Sequence, residues 1–81
     1  MIRIKETFNK DKSITLHVDG RLDASSIPTL EDICRRHLEE GHKIILNAEG
    51  LYHISRKGKG FLDTIKDLIT LEKIPSFLKI K

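Results

Sequence analysis

The spacing of apolar residues changes period between the first strand-like segments and the middle of this chain, and that change constrains the fold more than any other feature. Ile14, Leu16 and Val18 alternate with Thr15 and His17, the period of a strand with one buried face. Ile27, Leu30, Ile33, Cys34 and Leu38 then recur at helical steps, with Glu31, Arg35, Arg36 and Glu39 elsewhere on the turn. A chain of 81 residues has room for one core, so strands and helix must share it.

The remaining segments extend this pattern. Ile2 and Ile4 alternate with Arg3 and Lys5 ahead of Asn9-Lys10-Asp11-Lys12, which predicts an antiparallel hairpin whose second strand ends in a turn at Asp19-Gly20. Ser25 and Ser26 stand before Pro28 as helix caps, and Gly41 supplies the stop. Lys43 to Asn47 is apolar without alternation, as expected of a central strand covered on both faces, and Ala48-Glu49-Gly50 reads as the loop after it. Phe61, Leu62, Ile65, Leu68, Ile69 and Glu72 trace a second helix that Pro75 closes. Ser76-Phe77-Leu78-Lys79-Ile80 reads as a last strand. The expectation is a small α/β domain over residues 1–81, with a ββαβαβ mixed sheet and packed helices.

Composition narrows the function. Fifteen basic and twelve acidic residues give a formal charge of +3, and the two signs are interspersed, a poor footprint for nucleic acid. Only Phe8, Tyr52, Phe61 and Phe77 could stack on bases. Cys34 is the sole cysteine, so neither an internal disulfide nor a CxxC site can form, which suits the reducing cytoplasm. The first residues carry neither a signal-peptide run nor a membrane span. His17, His37, His42 and His53 show no paired zinc-site spacing, and no nucleophile–base set can be assembled. The expectation is therefore no metal, no cofactor and no enzymatic activity.

Val18-Asp19-Gly20-Arg21-Leu22-Asp23-Ala24-Ser25-Ser26 resembles the G-x-L-D turn that opens the first helix of STAS domains, the sulfate transporter and anti-sigma factor antagonist family. Gly50-Leu51-Tyr52-His53-Ile54-Ser55 resembles that family's segment before its second helix. The resemblance implies a bacterial regulatory module of the anti-sigma factor antagonist kind, which binds an anti-sigma factor or kinase-like regulator. Aligned on Gly58, Ser55 falls on the family's aspartate-or-serine position, and Arg56 falls where its phosphorylatable serine belongs. The resemblance therefore implies a module not switched by ordinary serine phosphorylation. Family members continue past the fourth strand into another helix, so the resemblance implies a domain that is either minimal or cut short here, and a homodimer or a partner is one way to cover the apolar surface left open.

The candidate contact face comprises Asp23, Leu51, Tyr52, His53, Ser55, Arg56, Lys57, Gly58, Lys59 and Gly60. Arg56, Lys57 and Lys59, with glycines between them, concentrate basic charge ahead of a helix whose positive dipole end disfavours it. Two readings follow: a loop that takes an acidic partner or a phosphate, or a solvated loop whose charges face water. Asp23 is expected near Arg56, as an ion pair or as a plain surface bridge. Ser55 serves as a phosphate acceptor or as a helix cap, and Leu51 as an exposed apolar contact. The alternative function is a STAS-like component that binds a small apolar ligand or a transport complex.

Overall fold

The structure, a computed structural model, describes residues 2–75. Strands β1 (Ile2–Phe8) and β2 (Ser13–Leu22) form a hairpin; helix α1 (Ile27–Glu39) leads to strand β3 (Lys43–Ile54), and helix α2 (Arg56–Ile65) to the short strand β4 (Thr70–Glu72). The sheet order is β1-β2-β3-β4, with the first pair antiparallel and the other two parallel. The expected ββαβαβ order and mixed sheet are present. The strand expected at Ser76–Ile80 lies outside the described residues.

Both parallel connections step the same way across the sheet, so right-handed crossovers place both helices on one face. Burial agrees. Ile14, Leu16, Val18, Ile44, Leu46 and Ala48 are buried with Leu30, Cys34, Phe61 and Leu62 in one cluster. On the opposite face Arg3, Lys5, Thr7, Asp19 and Glu49 are exposed, and Thr15, His17, Ile45 and Asn47 are half-buried. Among the described residues β3 is therefore covered by helices on one side only, which corrects the expectation of a strand covered on both faces.

The ends of two strands also differ from expectation. β2 does not end at Asp19-Gly20 but continues to Leu22, with Gly20 at φ 105° absorbing an irregularity within the strand. β3 does not give way to a loop at Ala48 but runs on to Ile54. Between the pairs His17↔Asn47 and Asp19↔Gly50, β3 spends one residue more than β2, and it does so again between Gly20↔Leu51 and Arg21↔His53. A side-chain Cβ at Gly50 would collide with the Asp19 carboxylate, so Gly50 permits a close strand approach where a turn was expected.

The second helix is displaced toward the N-terminus. It spans Arg56–Ile65, and Leu68, Ile69 and Glu72 lie beyond it. Leu71 pairs with Leu46 in the sheet and Ile69 is buried, so burying these side chains at the sheet edge prevails over continued helical spacing. Within α2, Gly60 is exposed, and a Cβ there would meet nothing within 4 Å. Gly60→Ala is expected to stabilise the protein by about 0.5–1 kcal/mol, by removing chain entropy from the unfolded state. Urea unfolding checks this as a raised midpoint at unchanged slope.

Candidate functional site

The start of α2 is tied to the end of β2. The Ser55 N–H donates to the Leu22 carbonyl at 2.9 Å, and the Ser55 hydroxyl accepts from the Gly58 N–H at 3.0 Å. Ser55 is thus the helix cap, which accounts for its hydroxyl without a phosphate. Gly58 is buried because its Cα faces the Leu22 carbonyl, and a Cβ would collide with that oxygen. The helix therefore enters closer to the sheet than any other residue type would permit.

This docking corrects the position of the basic residues. Arg56, Lys57 and Lys59 lie inside the first turns of α2, not in a loop ahead of it. Arg56 and Lys57 are exposed, Lys59 is half-buried, and the first turn holds no acidic residue. Three cations therefore stand at the positive end of the helix dipole, an arrangement that favours an approaching negative charge. A shallow depression beside them is lined by Asp23, Ala24, Ser25, Ser55, Arg56 and Lys57. The structure thus brings the β2–α1 connection and the start of α2 together, as the two sequence signatures implied.

Asp23 does not pair with Arg56. Its carboxylate accepts from the Ser25 hydroxyl at 2.8 Å, the Ser25 N–H at 3.1 Å and the Ser26 N–H at 3.2 Å, and Arg21 Nε stands 3.8 Å away. The expected Asp23–Arg56 pair is replaced by this local turn because adjacent donors reach the carboxylate without ordering a long side chain. The serines are not caps in the expected sense either. Ser26 occupies the cap position, but its hydroxyl donates to the Arg21 carbonyl at 3.0 Å and accepts from the Asp23 N–H at 2.9 Å, so it braces the turn.

The Ser25 hydroxyl bond, more than any other contact, holds the Asp23 carboxyl below its ordinary value, and the Ser26 bonds add to it against the opposing effect of burial. The Ser13 hydroxyl does the same for Asp11 in the β1–β2 hairpin. A lowered folded-state value means that these contributions are fully present above the ordinary carboxylate range near 4, and are lost as pH falls through the lowered values. Thermal melts are therefore expected to lose stability on acidification below about pH 4, with a shallower fall in Asp23→Asn.

Tyr52 is 69% exposed and His53 is exposed, both near the end of β3, while Gly60 lies further along α2. Leu51 is 4% exposed, which corrects its assignment as a contact residue. The first extra residue in β3, between Asn47 and Gly50, shifts the alternation so that Leu51 turns inward and its side chain joins the core. Sequence reasoning did not identify an apolar groove between the helices. Cys34, Leu38, Phe61, Ile65 and Leu68 line it, with a volume near 340 Å³. Its signal was the continuation of apolar spacing past Ile65 to Leu68, a residue the helix itself does not need. Burial pushes the Cys34 thiol up to about 11, so it remains protonated and inert at neutral pH.

A mixed four-stranded sheet with both helices on one face, and α2 starting beside the β2–α1 turn, define a small α/β domain. The family model for the STAS domain matches residues 4–79, and the chain belongs to that family. STAS domains mediate protein–protein interactions in regulatory or transport-associated roles and are generally non-catalytic. A search of curated proteins gives no match. Among the described residues, no helix is long and apolar enough to cross a membrane.

Proposed function

We propose that the 81 residues act as one regulatory protein-binding domain of the anti-sigma factor antagonist kind, in a bacterial cytoplasm. Its contact face is the start of α2 with the β2–α1 turn. The observation that carries this reading is the cluster of Arg56, Lys57 and Lys59 at the positive end of α2, with no acidic residue in the first turn. Such a patch favours a partner with an acidic surface, as an anti-sigma factor or kinase-like regulator could present, and electrostatics governs the approach more than the final affinity. Asp23, Tyr52, His53, Ser55 and Gly60 form the rest of the face, while Gly58 serves to dock the helix.

Arg56 replaces a serine hydroxyl with a fixed cation, so the module works without ordinary serine phosphorylation. The test compares proteins captured from the native host by the immobilised wild type and by Arg56→Glu. A partner retained by the first and lost by the second, with identical circular dichroism, is the expected result. Equal capture of every partner by the two forms would refute the reading.

The groove between the helices favours a second reading, a STAS-like component that holds a small apolar ligand or joins a transport complex. Five of its eight lining residues are apolar, the others being Glu31, Arg35 and Glu39, and Leu68 is 64% exposed. Native mass spectrometry separates the two. A stoichiometric apolar adduct that survives in Arg56→Glu supports the ligand carrier, and a bare chain supports the protein-binding domain.

A further inference from the structure

Three serines stand where the β2–α1 turn lies beside the start of α2, and their hydroxyls have different tasks. Ser26 is 5% exposed and braces the turn through the Arg21 carbonyl and the Asp23 N–H. Ser55 is half-buried and caps α2. Ser25, of the three, is exposed, and its hydroxyl donates one bond, to the Asp23 carboxylate at 2.8 Å. The Ser25 and Ser26 N–H groups hold the same carboxylate, so the turn keeps its backbone bonds when the Ser25 oxygen is substituted.

Arg56 and Lys57 line the same shallow depression as Ser25, which has a volume near 420 Å³. Both are exposed, and among the described residues neither stands in an ion pair. Neither α1 nor α2 carries an acidic residue in its first turn. Across the depression an uncommitted hydroxyl therefore meets two cations that lack a counter-charge.

We propose that Ser25 is a phosphorylation site, at which a partner protein kinase transfers the γ-phosphoryl group of a nucleoside triphosphate and the product phosphoserine engages Arg56 and Lys57. The Ser25 Oγ–P bond forms, the P–O bond to the leaving nucleoside diphosphate breaks, and the hydroxyl proton passes to solvent. Once Oγ no longer donates, the ionised Asp23 carboxylate repels the new dianion and turns it toward the cations. The inference rests on the proposed contact face and supplies its regulation. A phosphoryl group carries about −1.5 to −2 charges at neutral pH, close to what Arg56 and Lys57 together offset. Phosphorylation thus removes the positive patch that an acidic partner approaches, from a residue on the segment opposite the helix that bears it.

The first experiment uses the full chain with phosphoserine installed at position 25 and follows its second ionisation by ³¹P NMR. The ordinary midpoint is near pH 6, and neighbouring cations favour the dianion. A midpoint at least about half a pH unit below that of the same phosphorylated chain with Arg56→Gln and Lys57→Gln is expected. Equal midpoints overturn the proposal. The second incubates the unmodified chain with magnesium ATP and an extract of the native host, and maps phosphate by peptide mass spectrometry. Phosphate on Ser25, absent from Ser25→Ala, is expected; none, or phosphate on another residue instead, overturns the proposal. Lastly, the phosphoserine chain is expected to retain at least about tenfold less of the partner that the wild type captures and Arg56→Glu loses. Undiminished capture overturns the inference and leaves the contact face standing. Where the wild type captures nothing that Arg56→Glu loses, the contact-face reading falls, and the regulation inferred from it falls with it.

Discussion

Leu46→Ala is expected to destabilise the protein by about 2–5 kcal/mol, while Ile45→Ala, one residue away, should cost about 1 kcal/mol or less. Leu46 is fully buried, lies between Leu16 of β2 and Leu71 of β4, and faces the helices. Truncation removes its transfer energy and leaves a cavity that neighbouring strands cannot close without breaking their ladder. Ile45 is half-buried on the opposite face, which no helix among the described residues covers. A chain of this length has a total stability of roughly 4–12 kcal/mol at 0.05–0.15 kcal/mol per residue, so the Leu46 change consumes a large share of it. Urea unfolding measures both variants. Equal midpoints for the two would mean that the sheet is not covered on one face alone.

The elements that were legible in the sequence are those whose periodicity is unbroken. Ile14, Leu16 and Val18 keep strict alternation and marked β2; Leu30, Cys34 and Leu38 keep helical spacing and marked α1. Alternation does not carry through β3, because an extra residue between Asn47 and Gly50 shifts it so that Leu51 is buried while Tyr52 and His53 are exposed. Glycine misled for a related reason. Gly50 resembles turn chemistry, but it is there to admit the Asp19 carboxylate, and spacing along one chain cannot reveal a contact made by a neighbouring strand. Periodicity places the second helix too late because Leu68, Ile69 and Leu71 continue an apolar rhythm into β4, where sheet pairing takes over.

The candidate site was legible to the extent that it is carried by local signatures. The turn around Asp23 and the segment before α2 were placed side by side by the family resemblance, and the fold brings them together. What failed was pairing. Asp23 and Arg56 differ in sign and lie in neighbouring segments, yet serine donors two and three residues away claim the carboxylate first.

Gly58→Ala is expected to destabilise the protein by about 1–3 kcal/mol, the range for forcing an extra group into a packed contact, although alanine is the better helix former. Gly60→Ala, two residues along the same helix, should act in the opposite direction. The added methyl at position 58 would press on the Leu22 carbonyl, so α2 must lift from the end of β2 or β2 must yield. Either movement strains the Ser55 N–H bond to the Leu22 carbonyl and the Ser55 cap on residue 58. Those two bonds fix where Arg56 and Lys57 stand relative to the Asp23 turn, so Gly58→Ala should weaken partner binding at temperatures where the variant is still folded. Melting curves for the two glycine variants, read beside capture of the same partner, check both effects. Equal stabilisation by the two substitutions would show that α2 does not rest on β2 at Gly58, and the arrangement of the contact face would have to be redrawn.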